Sequence, residues 1–113
     1  LGDVYKRQMQ PDQAMLMNLE GRIQNVTAKG TETDCVSRSF CPKLSVAEDP
    51  VCGSAHCQIA DYWSGELNKK QITAYQASKR GGYLYCEMQG NGRIKISGEA
   101  ALVAVSEIAA ELR

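Results

Sequence analysis

Ten consecutive residues, Glu48-Asp49-Pro50-Val51-Cys52-Gly53-Ser54-Ala55-His56-Cys57, gather carboxylates, thiols, a hydroxyl and an imidazole into one short stretch. Pro50 and Gly53 on either side of Cys52 fit a tight turn, and the apolar spacing Ala55, Ile59, Trp63, Leu67 that follows fits one face of a helix. The reactive side chains then stand at a helix N-terminus, where unpaired backbone N–H groups and the positive end of the macrodipole favour anions. The same field favours thiolate over thiol. Such a turn suits a ligand cradle and a thiol activator. A plainer role suits the same residues: Asp49 and Ser54 as helix caps, Cys52 and Cys57 as small buried hydrophobes, His56 as a surface residue of the first turn.

The elements that must position this turn are legible on both sides of it. Pro11 to Glu20 carries Met15, Leu16 and Leu19 at helical spacing, with Pro near the start and Gly21 just past the end. Arg22 to Ala28 reads as a strand, and Asp34 to Phe40 as a second that Pro42 stops. After the helix, Ile72 to Gln76 is a short strand. Leu84, Cys86 and Met88 alternate with Tyr83, Tyr85 and Glu87, giving one buried and one wetter face. Gln89-Gly90-Asn91-Gly92 reads as a hairpin turn into Arg93 to Ser97, so these two strands pair antiparallel.

The chain has 113 residues, within the range of one domain with a modest core. Thirteen basic and thirteen acidic residues give no net charge, so no global field draws nucleic acid or an anionic membrane. No apolar stretch approaches the roughly 20 residues of a membrane-spanning helix, and the expected setting is the cytoplasm. Five cysteines, an odd number without a secretory leader, point to reduced thiols rather than a disulfide framework. No Cys-x-x-Cys pair is present, and no metal site is expected.

The ten-residue string resembles the signature of the phenazine biosynthesis PhzF-like family, proteins of the diaminopimelate epimerase fold. Further blocks carry the resemblance: Gly21 to Gly30 ending in Lys29-Gly30, Ser37-Arg38-Ser39-Phe40-Cys41-Pro42, Gln76-Ala77-Ser78-Lys79-Arg80-Gly81-Gly82 and Ile96-Ser97-Gly98. Order and spacing agree over about residues 11 to 106, and several separate blocks weigh more than one short motif. The resemblance implies an α+β fold, a mixed and largely antiparallel sheet wrapped around a central helix at about Ser54 to Asn68. It also implies that residues 9–113 form the C-terminal half of a two-domain protein that is commonly a homodimer, with the active site between this domain and a missing N-terminal one. Leu1 to Gln8 has neither helical nor strand periodicity and reads as a non-native or disordered leader. The tail divides the two kinds of argument: Glu99 to Leu112 is helical by propensity, whereas the resemblance runs a strand through Leu102 to Ser106; a strand is expected over Leu102 to Val105, and Ile108 to Arg113 is left open.

The chemistry implied is proton transfer at carbon on a small carboxylate-bearing substrate, without metal, flavin or nicotinamide. Such a reaction needs an acid, a base and donors for the charge formed between them. Asp49 would be the signature carboxylate and Ser54 its hydroxyl partner. The backbone N–H groups of Gly53 and Ser54 would hold the substrate carboxylate, with Arg80 and Gly81 closing over it. Cys52 opens an alternative, because the related amino-acid racemases and epimerases of this fold place a catalytic cysteine there. A third reading is a binding module that keeps the fold without the reaction. His56 is expected to orient the turn.

Overall fold

Turn residues at Gly30, Pro42, Gly81 and Gly90 punctuate the apolar runs, and the computed structural model, which describes residues 2–107, follows that punctuation. In chain order the elements are α1 (Asp3–Gln8), α2 (Gln13–Leu16), β1 (Gln24–Lys29), β2 (Cys35–Cys41), a 3-10 turn at Pro42–Leu44, β3 (Val46–Asp49), α3 (Gly53–Leu67), β4 (Gln71–Gln76), β5 (Gly82–Met88) and β6 (Ile94–Gly98). The strands form one mixed sheet ordered β1-β2-β4-β5-β6, with β3 also pairing β2. Among the described residues only β2 with β4 is parallel; the other pairs are antiparallel, as expected for the fold.

Strand β2 organises the site. One stretch of its edge, Cys35 to Ser37, pairs with Ala74 to Gln76 of β4, and the next, Ser39 and Cys41, pairs with Asp49 and Val46 of β3. The strand is buried almost throughout, because it has neighbours on both edges and cover on both faces. This explains why its polar and apolar residues fail to alternate.

Helix α3 lies on one face of the sheet. Ala55, Ile59 and Ala60 pack with Cys35, Ile72, Ala74, Leu84 and Cys86 into the main core, and Trp63 and Leu67 pack against its edge. Trp63 also donates from Nε1 to Thr27 Oγ1 at 2.8 Å, fastening the middle of the helix to β1. Leu84 and Cys86 are buried while Tyr83 and Tyr85 are 43% and 45% exposed, so the alternation expected for β5 holds. The hairpin to β6 closes with Gln89 N–H donating to the Arg93 carbonyl at 2.9 Å. Among the described residues no helix is long and apolar enough to cross a membrane.

Three expectations change. Residues 3–8, read as standing outside the fold, form α1 against β1 and β2. Six residues do not hold a helix alone. This one is tied down by Arg38, whose Nη1 donates to the carbonyls of Lys6, Arg7 and Met9, and by Lys6 Nζ donating to the Thr27 carbonyl. The helix expected over Pro11 to Glu20 contracts to Gln13–Leu16, capped by Asp12 Oδ1 accepting from Ala14 N at 2.9 Å. Met15, Met17 and Leu19 remain about half exposed or more, so no buried face extends the helix. The strand expected at Leu102 to Val105 is absent. Leu102, Val103 and Val105 are 85–92% exposed, and among the described residues no strand pairs with them, so nothing takes up a ladder there. Ile108 to Arg113 lies outside the described residues.

Candidate functional site

The signature turn begins where β3 ends. Asp49 Oδ1 accepts from Val51 N–H at 3.1 Å, the side-chain-to-backbone bond that starts a turn at an Asp. Cys52 then occupies the N-cap of α3 in extended conformation, and among the described residues no side-chain hydrogen bond caps the helix. Asp49 and Ser54 are thus not the caps that the plainer role made them. The first N–H groups of a fifteen-residue helix are left open to a ligand, with Gly53 and Ser54 exposed.

Two side chains brace this turn, one from the last residue of β4 and one from just beyond it. Gln76, fully buried, donates from Nε2 to the Asp49 carbonyl at 2.6 Å and accepts from Cys52 N–H at 2.6 Å. Ser78 donates from Oγ to the Pro50 carbonyl at 2.7 Å and accepts from Gly81 N–H at 3.0 Å, which couples the 78–82 turn to the signature. Gly82 backs directly onto Val51: a Cβ there would stand 2.4 Å from Val51 Cγ2. Gly81 has φ +73°, left-handed backbone that favours glycine.

His56 is buried rather than on the surface, with no exposed area. Its Nδ1 lies 2.7 Å from the Cys52 carbonyl, which can only accept, so Nδ1 carries the proton and Nε2 accepts from Ser37 Oγ at 3.2 Å. Burial holds its pKa below the usual histidine range, the Cys52 carbonyl opposing in part. The neutral imidazole thus bridges the Cys52 carbonyl of the turn and the Ser37 hydroxyl of β2. Burial raises the Cys41 thiol as well, and the Asp49 charge adds to that.

The candidate residues divide between two surroundings. Gly53, Arg80 and Gly81 line one open cleft of about 620 Å³, together with Val51 and residues of β5 and β6. Arg80 also borders a hollow of about 450 Å³ with Glu48, Pro50, Ser78 and Lys79. Asp49, Cys52 and Ser54 are not in the lining of either. Asp49 is half-buried and turned toward Val51, and Cys52 is 3% exposed with Sγ 3.5 Å from Ser54 Oγ. Ser39, directly across from Asp49, is fully buried and its hydroxyl has no partner among the described residues. Sequence reasoning assigned no role to Gln76, Ser78 or Ser39. The one available signal was their place inside the quoted blocks.

Comparison with known proteins agrees with this architecture. The family model described as phenazine biosynthesis-like protein matches residues 4–106. An uncharacterized isomerase from Pseudomonas aeruginosa is 49% identical over 102 residues, which is 90% of this chain and 39% of that protein. A human phenazine biosynthesis-like domain-containing protein is 40% identical over 117 residues, 91% of this chain and 41% of its own length. A solved PhzC/PhzF structure from Clostridium difficile superposes with a TM-score of 0.86 at 42% identity, covering 95% of this chain and 41% of that one. A PhzF-family structure from Enterococcus faecalis gives 0.78 at 43% identity, with 90% and 42% covered. The chain thus spans about two-fifths of the length of these relatives, and it belongs to the phenazine biosynthesis-like protein family.

Proposed function

We propose that this chain supplies one wall of a cofactor-independent isomerase site that moves a proton at carbon on a small carboxylate-bearing substrate. The facing wall then comes from the part of the relatives' length that this chain does not span, and the complete protein works as a homodimer. The observation that carries the reading is the Asp49 to Ser54 turn, which sets a carboxylate beside the uncapped N-terminus of α3. The N–H groups of Gly53 and Ser54 bind the substrate carboxylate, and Arg80, which lines the same cleft as Gly53, adds a counter-charge. Asp49 exchanges the proton and Ser54 Oγ donates to it; the energy comes from donors fixed in place before the charge forms.

The test joins this chain to the preceding segment of a relative and follows solvent deuterium entering a bound acid by mass spectrometry. Asp49→Asn abolishes the exchange; unchanged exchange removes Asp49 from the reaction. Cys52→Thr leaves exchange in place under this reading, whereas a racemase working through the thiol loses it. A chimera that binds acids with no exchange at all leaves only a binding module.

A further inference from the structure

Strands β3 and β4 meet the same edge of β2 one after the other, and the junction between them is where the reactive turn lies. Ser37 pairs with Gln76 and Ser39 pairs with Asp49, so the ends of the two strands are separated by about one residue of β2. Among the described residues no backbone ladder spans that gap. The Ala77 N–H completes the β4 side by donating to the Ser37 carbonyl at 2.8 Å. Beyond it the Gln76 side chain takes over. Its amide reaches both ends of the turn, the Asp49 carbonyl and the Cys52 N–H, each at 2.6 Å.

The orientation of that amide is dictated by its partners. A carbonyl only accepts and an N–H only donates, so Nε2 faces Asp49 and Oε1 faces Cys52. With no exposed area, the group has no water to substitute for either partner. A carboxylate-bearing residue and the N-cap of a helix are thereby held at a fixed separation by one rigid planar group.

We propose that Gln76 is the positioning residue of this site: its side-chain amide fixes the Asp49 carboxylate relative to the open N–H groups at the start of α3, and so sets the geometry offered to a bound anion. The inference rests on the anion-binding part of the function proposed above. It adds a residue that touches neither substrate nor proton and acts through both halves of the turn. Glutamine is specified by chemistry: donor at one end, acceptor at the other. Glutamate reproduces that pattern only when protonated, when its O–H donates to the Asp49 carbonyl and its C=O accepts from Cys52 N–H. Ionised, it turns an oxygen lone pair onto a carbonyl oxygen.

The experiment uses the whole chain, nitrogen-15 labelled, with trifluoroacetate as the probe because it stays ionised across the pH range scanned. In the wild type, trifluoroacetate shifts the Gly53 and Ser54 amides; no shift there rejects the anion-binding reading itself. Gln76→Glu binds the probe as the wild type does at low pH and about tenfold more weakly at high pH, the effect of losing one good hydrogen bond. The midpoint of that change lies above the ordinary glutamate value of about 4.3, because the site is buried. Wild-type-like affinity of Gln76→Glu at every pH overturns the proposal while leaving anion binding intact. Hydrogen exchange in the wild type needs no variant: the Cys52 amide is protected like the amides of β4, and exchange as fast as that of Ser54 also overturns it.

Discussion

The guanidinium of Arg38 meets the carboxylate of Glu48 side-on, with Nε 2.8 Å from Oε1 and Nη2 2.8 Å from Oε2. Both side chains are largely covered, at 12% and 21% exposed, and the Arg38 guanidinium carbon stands 4.8 Å from the centre of the Phe40 ring. The remaining nitrogen closes the end of α1. One planar cation therefore joins α1, β2 and the residue before Asp49. Lysine keeps the charge and loses the fork. Arg38→Lys is expected to lower stability to urea by about 2–4 kcal/mol, with the amides of α1 losing protection before those of β2. Glu48→Gln keeps an acceptor for Nε and costs less, about 1–2 kcal/mol.

The contact between Gly82 and Val51 gives a second expectation. A Cβ at Gly82 has to displace a β-branched side chain that has few rotamers to retreat into. Gly82→Ala is expected to cost about 1–3 kcal/mol as overpacking and to shift the amides of the signature turn. Val51→Ala removes the obstructing methyl groups. The double variant should recover most of the loss from Gly82→Ala, and a strictly additive result in urea titrations would show that the two residues do not meet.

What the sequence revealed and what it hid follow from the range of the forces concerned. The α3 face, the β5 alternation and the β5–β6 turn are local patterns, and a period or a Gly pair suffices to see them. The turn carrying Asp49, Cys52, Gly53 and Ser54 was legible for the same reason, since its Pro, Gly and helix start are adjacent in the chain. The struts were not. His56 looked like a surface residue because its burial depends on Ser37, nineteen positions away. Gln76 acts on a turn 24 and 27 positions earlier. Residues 3–8 show no periodicity, and polar contacts made by Arg38 and Lys6 tie them to the sheet. Leu102 to Val105 has strand-like residues, but a strand forms only beside another backbone.

The buried His56 makes stability depend on pH, with a definite sign. Its folded pKa lies below that of the unfolded chain, because burial opposes the charged form more than the Cys52 carbonyl favours it. The unfolded chain then binds the proton more readily. The contribution from His56 is complete above the unfolded value of about 6.5. It is lost as pH falls from there through the folded pKa, with a slope approaching about 1.4 kcal/mol per pH unit. Trp63, the single tryptophan, reports unfolding by fluorescence. A urea midpoint that stays flat from pH 7 to pH 5 would mean that His56 is solvated in solution.

Thiol reactivity gives the sharpest check on how closed the turn is. Burial pushes the Cys35 thiol up to about 12, with the Cys86 and Asp34 charges adding to it, and pushes Cys86 up to about 11 with help from Cys57. Both are kept as thiols and are shielded by the core, so neither attacks an alkylating agent. Cys41 and Cys52 are 3% exposed, whereas Cys57 is on the outer face of α3. Iodoacetamide at about neutral pH should therefore modify Cys57 first, leaving Cys35, Cys41, Cys52 and Cys86 unmodified until urea unfolds the chain. Peptide mass spectrometry resolves the five sites. Cys52 carries the most information, because it lies under the turn that Gln76 and His56 brace. Alkylation of Cys52 as fast as Cys57 in the folded chain would mean that the turn opens on its own. In that event, the geometry at the start of α3 is set by whatever binds there rather than by the fold.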